Sequence, residues 1–207
     1  MTPRKIGLLL LATGLLGLAV APGASGATIA SINARAAATG TSATGTEAVF
    51  TDTGSGIQVR CRHDITIPTS AFSLSNSVSI EAANNTYSSC RDTNGASCVV
   101  RVNGRWTITA RTTTSGTVRL ESSTSVDCTN RGATRYSCVL LIDSGQTLGV
   151  TFVNPVAPAT TGTLRVDTPN TLTYQITSST NCPLGDVNAR GTATQAERFS
   201  TENVRIR

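Results

Sequence analysis

The chain has almost no lysine. Lys5 stands alone, so nearly every positive charge is an arginine. Histidine is just as scarce, with His63 the single example, and no two cysteines stand in a Cys-x-x-Cys pair. A zinc site needs such a set of thiolates and imidazoles, so a metal-held fold is not expected. Aromatic residues make up 4% of the chain and charged residues 14%. Setting aside Arg4 and Lys5 leaves 15 basic residues (17 minus 2) against 12 acidic ones, a net charge near +3. That charge is mild and scattered, which argues against a nucleic-acid partner.

What is present begins with a secretory signal. Arg4 and Lys5 precede an apolar run from Ile6 to Val20, and Ala21-Pro22-Gly23-Ala24-Ser25-Gly26 supplies a breaker and small residues for cleavage after Gly26 or Ala27. Fifteen apolar residues are short for a membrane span, which needs about 20, and no second hydrophobic segment follows. Residues 1–26 therefore read as a signal peptide and 27–207 as one secreted domain without a span. The six cysteines, Cys61, Cys90, Cys98, Cys128, Cys138 and Cys182, all lie in the exported part. An even number in an oxidising compartment predicts three disulfides.

Around Cys90 the residues suggest how the chain folds. Cys90 and Cys98 bracket Asn94-Gly95, and Val100 and Val102 lead into Asn103-Gly104 before Trp106, Ile108 and Ala110. Asn-Gly between alternating apolar runs is a hairpin signal. A bulged loop would pair Val100 with Trp106 and Cys98 with Ile108 and bury the tryptophan; it would also set Arg101 opposite Arg105 on the solvent face. Turn propensity then favours the bonds Cys90–Cys98 and Cys128–Cys138, leaving Cys61–Cys182 by elimination among the fifteen connectivities open to six cysteines.

Other strands follow from alternation: Thr28 to Ala37, Ala48 to Asp52, Gly56 to Arg62 up to the break at Pro68, Phe72 to Leu74, Val78 to Ile80, Val118 to Glu121, Leu148 to Phe152, Leu164 to Val166, Leu172 to Ile176 and Phe199 to Ile206. Tyr136 to Ile142, nearly all apolar from Cys138 on, reads as a central strand buried on both faces, turned at Asp143-Ser144-Gly145. Gly40 to Gly45, Asp167 to Asn170 and Asn181 to Gly191 read as connections, and Ala193 to Arg198 as the one short helix. Strands at this spacing predict an all-β fold: a disulfide-stabilised antiparallel β-sandwich with Greek-key-like connections.

Candidate chemistry is thin. His63 beside Asp64, with Ser144 in Asp143-Ser144-Gly145, offers the residue types of a serine-hydrolase triad. Ile142 and Gln146 stand where the nucleophile turn of chymotrypsin-like proteases has glycine, and a lone histidine at a strand end is expected to be exposed. Asp92-Thr93-Asn94-Gly95 has the start of a calcium loop without its closing glutamate, so turn formation explains it better. Arg101, Arg105 and Arg111 could form an anion-binding face, and Arg91 to Ser97 is the one loop suited to a protease inhibitor. Asn84-Asn85-Thr86 fits the glycosylation pattern. No cofactor is implied.

Val59-x-Cys61, Cys90 with Cys98-Val99-Val100, Asn103-Gly104-x-Trp106, Cys138 opening an apolar strand, and Asn181-Cys182 together resemble a group of secreted actinobacterial β-sandwich proteins of uncharacterised function. Cys128 stands outside that pattern. The resemblance implies a secreted protein, and no activity. The expected role is a non-enzymatic binding or structural protein, extracellular or held at the cell surface, with a surface glycan or envelope component as partner. A secreted hydrolase using His63 and Ser144 is the alternative, and a protease inhibitor the third.

Overall fold

A computed structural model describes residues 27–31, 37–42, 47–72, 76–166 and 170–207. The expected signal peptide, the centre of the Thr28–Ala37 strand, and parts of the Gly40–Gly45 turn, the Phe72–Leu74 strand and the Asp167–Asn170 connection lie outside the described residues. Sixteen strands form among the described residues, with single 3₁₀ turns at Thr69–Ala71 and Ala82–Asn84 and no α-helix. The all-β, antiparallel, disulfide-stabilised architecture is the one the alternation predicts. The helix expected over 193–198 is instead the middle of a strand.

Two small strands, β1 (Ile29–Ser31) and β16 (Val204–Ile206), pair only with each other. The other fourteen form one sheet that folds into two halves placed end to end. In the first, β3 (Ala48–Asp52) pairs with the start of β4 (Gln58–Ile67), which pairs with β6 (Asn85–Asp92). The sequence of neighbours continues through β7 (Ser97–Val102), β10 (Thr124–Asn130), β11 (Tyr136–Ile142) and β14 (Thr171–Thr180) to the start of β15 (Arg190–Glu202). β15 returns to β3, so this half closes on itself and leaves no edge. It holds all six cysteines and is called the cystine half.

The second half, called the tryptophan half, continues the same two long strands. The end of β15 pairs with β2 (Ala38–Ser42), which pairs with the end of β4. On its other side β15 pairs with β13 (Thr161–Val166), followed by β12 (Thr147–Val153), β9 (Ser115–Leu120), β8 (Arg105–Ala110) and β5 (Ser77–Glu81). β15, with 13 residues, runs the length of both halves, about 43 Å at roughly 3.3 Å per residue. The expected Greek-key-like connections take a specific form: the chain crosses the waist between the halves after β2, β5, β7, β9, β11 and β13.

These crossings overturn the hairpin expected over 97–110. β7 and β8 belong to different halves, so Val100 faces Val126, and Trp106 faces Ile80 and Leu120. Arg101 lies opposite Ser125 and Arg105 opposite Glu81, not opposite each other. Asn103-Gly104 carries the chain across. The Asn103 amide N–H donates to Ser123 O at 3.0 Å, and Nδ2 donates to Ser123 Oγ at 3.2 Å. A Cβ on residue 104 would come within 2.6 Å of Ser122 Cβ. Glycine is there because two crossing segments touch, not because a hairpin turns. The Asp143-Ser144-Gly145 turn likewise sends β11 to β12 of the other half, with Gly145 at φ 81°.

Burial alternates along the strands. Tyr136, Cys138, Leu140 and Ile142 point inward, while Val139 and Leu141 are half-buried, so this strand is not enclosed on both faces. Trp106 is buried as expected, with Ile108 and Ala110 on the same inner face.

All three expected disulfide pairings are corrected. The bonds are Cys61–Cys90, Cys98–Cys128 and Cys138–Cys182, and no free cysteine is left. The sheet order supplies the reason. Cys61, Cys90, Cys98, Cys128 and Cys138 sit on five successive neighbours, β4, β6, β7, β10 and β11, and all five side chains are buried. Cys98, Cys128 and Cys138 share one line of register. Cys182 completes the row from the loop after β14. The pairs Cys90–Cys98 and Cys128–Cys138 are also row neighbours, but they would strand Cys61 and Cys182 at opposite ends. Only the observed pairing uses all six.

Candidate functional site

The waist holds a buried polar cluster. β4 runs on past Arg62, where the alternation was expected to stop, and places His63 on the inner face with no exposure. The lone histidine is therefore a core residue rather than an exposed one. Its Nδ1 meets Glu197 Oε1 at 2.8 Å and its Nε2 meets Asn85 Oδ1 at 2.5 Å. An oxygen thus stands at each ring nitrogen, and the imidazole joins Glu197 to Asn85. Tyr87 stacks on the imidazole with centroids 3.8 Å apart, and Trp106 and Phe199 approach it edge-on. Gln195 Nε2 donates to Glu197 Oε2 at 3.3 Å.

The backbone of His63 is held as firmly. Its N–H donates to Ser42 Oγ at 2.6 Å, and the Ser42 hydroxyl donates to His63 O at 3.0 Å. Ser42 is the last residue of β2, so its side chain continues the ladder where the neighbouring strand stops. Burial, then the charge of Glu197, pushes the Tyr87 phenol well above its usual range. The Gln195 amide beside it pulls the other way, but Tyr87 Oη and Gln195 Oε1 close no hydrogen bond of ordinary geometry.

This arrangement does not bring the expected triad together. His63 is enclosed and both of its nitrogens are engaged, while Ser144 is exposed in the turn after β11. Asp64 points to the other face, where it pairs with Arg62 at 3.2 Å. The three anion-face candidates are exposed but dispersed: Arg101 on β7, Arg105 across from Glu81, and Arg111 in the β8–β9 turn. Asn84 of the glycosylation pattern is half-buried at the end of a 3₁₀ turn.

A more open site lies at the far end of the cystine half. There the 92–96 turn is built on Asp92, whose Oδ1 accepts the amides of Asn94 at 2.9 Å and Ala96 at 2.8 Å. Its Oδ2 accepts the Tyr136 hydroxyl. Burial and the Asp92 carboxylate push that phenol up to about 12. The carboxylate is thus occupied by N–H and O–H donors, the turn role rather than the calcium role. These bonds also tie down Arg91 to Ser97, the segment considered for an inhibitor loop.

Between this turn and the 130–134 loop runs a cleft of about 780 Å³ on the outer face of β7 and β10. Val99, 44% exposed, forms part of its floor beside Asp127, which lies directly opposite. Asn94, Asn130 and Arg131 stand around it. Asn130 holds the rim in shape: its Nδ2 donates to Asn94 O at 3.1 Å, and its Oδ1 accepts the Gly132 amide at 2.7 Å. Arg101 lies on the same outer face, two residues along β7. By contrast, two apolar voids in the interior, one in each half, measure about 30 Å³ each. Neither holds more than a water-sized molecule.

Sequence reasoning missed both sites. Asp127 and Arg131 looked like ordinary strand and turn residues, and only their shared surface with Val99 marks them. No protein-family model, curated protein or solved structure matches this chain.

Proposed function

We propose that this is a secreted, non-enzymatic binding protein of the cell envelope or its surroundings, and that the outer cleft of the cystine half takes a neutral, hydroxyl-rich ligand of the glycan class. The observation that carries this reading is the cleft itself. It pairs one exposed aliphatic side chain, Val99, with a carboxylate, a guanidinium and two amides on rigid turns. Such a mixture of donors and acceptors around an apolar floor suits a sugar, which presents hydroxyls at its rim and C–H faces between them. Three disulfides suit an oxidising compartment. The resemblance to secreted actinobacterial proteins supports export as the route.

The test is co-sedimentation with insoluble cell-wall polysaccharide. The wild-type chain should pellet with it, and Asp127→Ala and Arg131→Ala should each weaken pelleting about tenfold, as for one or two lost hydrogen bonds of about 1.4 kcal/mol. Equal behaviour of wild type and both variants would refute the cleft as the binding site.

A further inference from the structure

The cysteine row has a property that its three bonds do not exhaust. Taken across the sheet, the sulfurs come in the order Cys182, Cys138, Cys128, Cys98, Cys90, Cys61, and bonded pairs alternate with unbonded neighbours. Cys128 and Cys138 are direct register partners although not bonded to each other. Cys90 and Cys98 stand one rung from the Arg91–Ser97 pair, again opposite and unbonded. The five strand cysteines are buried, whereas Cys182 is only partly buried, in a loop flanked by exposed Asn181 and Pro183. One end of the row therefore meets solvent and the other lies inside, two residues from His63 on the same face of β4.

From this arrangement we infer that the row is a thiol–disulfide relay: a thiol reductant acting at Cys182 produces a free thiol at Cys61. Displacement at sulfur runs in line, and each step here has attacking, attacked and leaving sulfur in order along the row. A solvent thiolate attacks Cys182 Sγ, and Cys138 leaves as thiolate. Cys138 attacks Cys128 and Cys98 leaves; Cys98 attacks Cys90 and Cys61 leaves, taking up a proton. The second thiol of the reductant frees Cys182. In sum, a dithiol is oxidised to its disulfide, losing two electrons and two protons. The protein then holds Cys90–Cys98 and Cys128–Cys138, with thiols at Cys61 and Cys182.

Each exchange moves the free thiol by two places in the row, so parity is the signature. Cys182→Ser leaves one unpaired thiol, which the relay distributes over Cys138, Cys98 and Cys61 and never places on Cys128 or Cys90. The folded variant is equilibrated, quenched in acid to stop exchange, then unfolded and alkylated at low pH with N-ethylmaleimide, and the labelled cysteine is identified by peptide mass. Label at Cys98 or Cys61 is the expected result. Label at Cys138 alone, or any at Cys128 or Cys90, overturns the relay. The wild-type protein, treated with limiting dithiothreitol and at intervals acid-quenched, unfolded and alkylated in the same way, gives a second reading that does not depend on the variant folding. Label should spread from Cys182 and Cys138 to Cys61 with time. Label confined to Cys182 and Cys138 throughout, or no label at all, overturns it equally.

Discussion

His63 and Glu197 are 134 residues apart in sequence, yet Nδ1 and Oε1 meet at 2.8 Å with neither side chain exposed. They join β4 to β15, the two strands that run through both halves, at the point where β2 has ended and β3 has not begun. Removing one member of a buried hydrogen-bonded pair leaves the other's polar atom unanswered, which costs about 1–3 kcal/mol. Glu197→Ala should lose that much in a denaturant titration. The double variant His63→Leu with Glu197→Leu should lose less than the sum of the losses of His63→Leu and Glu197→Leu alone, because neither half of the pair is left unanswered. A loss equal to or above that sum would show that the two side chains contribute independently of their contact.

The three tyrosines carry a pH prediction. Burial pushes all three phenols up, helped by Glu197 at Tyr87, by Asp92 at Tyr136, where the value reaches about 12, and by Asp52 at Tyr174. A group held protonated by the fold contributes stability that is whole below its ordinary value of 10.0 and is lost as pH rises through the raised value. Tyrosinate absorbance should thus be absent from the folded protein near pH 10 and appear together with unfolding nearer 12. A tyrosine titrating near its ordinary value in the folded state would contradict this. Asp52 works in the opposite direction. Burial raises its carboxyl, but the Tyr174 hydroxyl, at 2.6 Å, and the Ser55 amide and hydroxyl outweigh that and hold it low. Its contribution should be present above 3.8 and fade as pH falls below it.

Gly104 and Ser122 test the waist crossing. Gly104→Ala drives a methyl into Ser122 and should cost about 1–3 kcal/mol as an overpacked contact, read from the urea midpoint. Adding Ser122→Gly should restore most of it. A hairpin at 103–104 would give no such rescue.

Trp106 is 3% exposed, between Ile80 and Leu120 across the sheet and edge-on to His63. Trp106→Ala should cost about 3–5 kcal/mol, and native fluorescence should be blue-shifted and move red on unfolding. An exposed emission spectrum with undiminished stability would make this residue a surface site instead.

Positions of strands were readable from the chain; their neighbours were not. Ala48–Asp52 and Tyr136–Ile142 form at the expected bounds because alternation fixes which side chains face inward. Alternation says nothing about which strand lies alongside, and Asn103-Gly104 carries the same turn chemistry whether the chain doubles back or crosses the waist. The even cysteine count announced three bonds, while the choice between two neighbour pairings depended on the sheet order. His63 was misread because its partner is 134 residues away and its strand continues past two arginines. The outer cleft left no signal in the chain, since Asp127 and Arg131 become a site only once β10 lies beside β7.

Peptide mapping without reduction tests the architecture most directly. The spacing of the arginines places each cysteine in its own tryptic peptide, so every linkage can be read from one digest. The account predicts Cys61 joined to Cys90, Cys98 to Cys128 and Cys138 to Cys182, in protein whose mass is lower than the reduced chain by six hydrogens. A link between Cys61 and Cys182, which stand at opposite ends of the row, would contradict the two-half sheet.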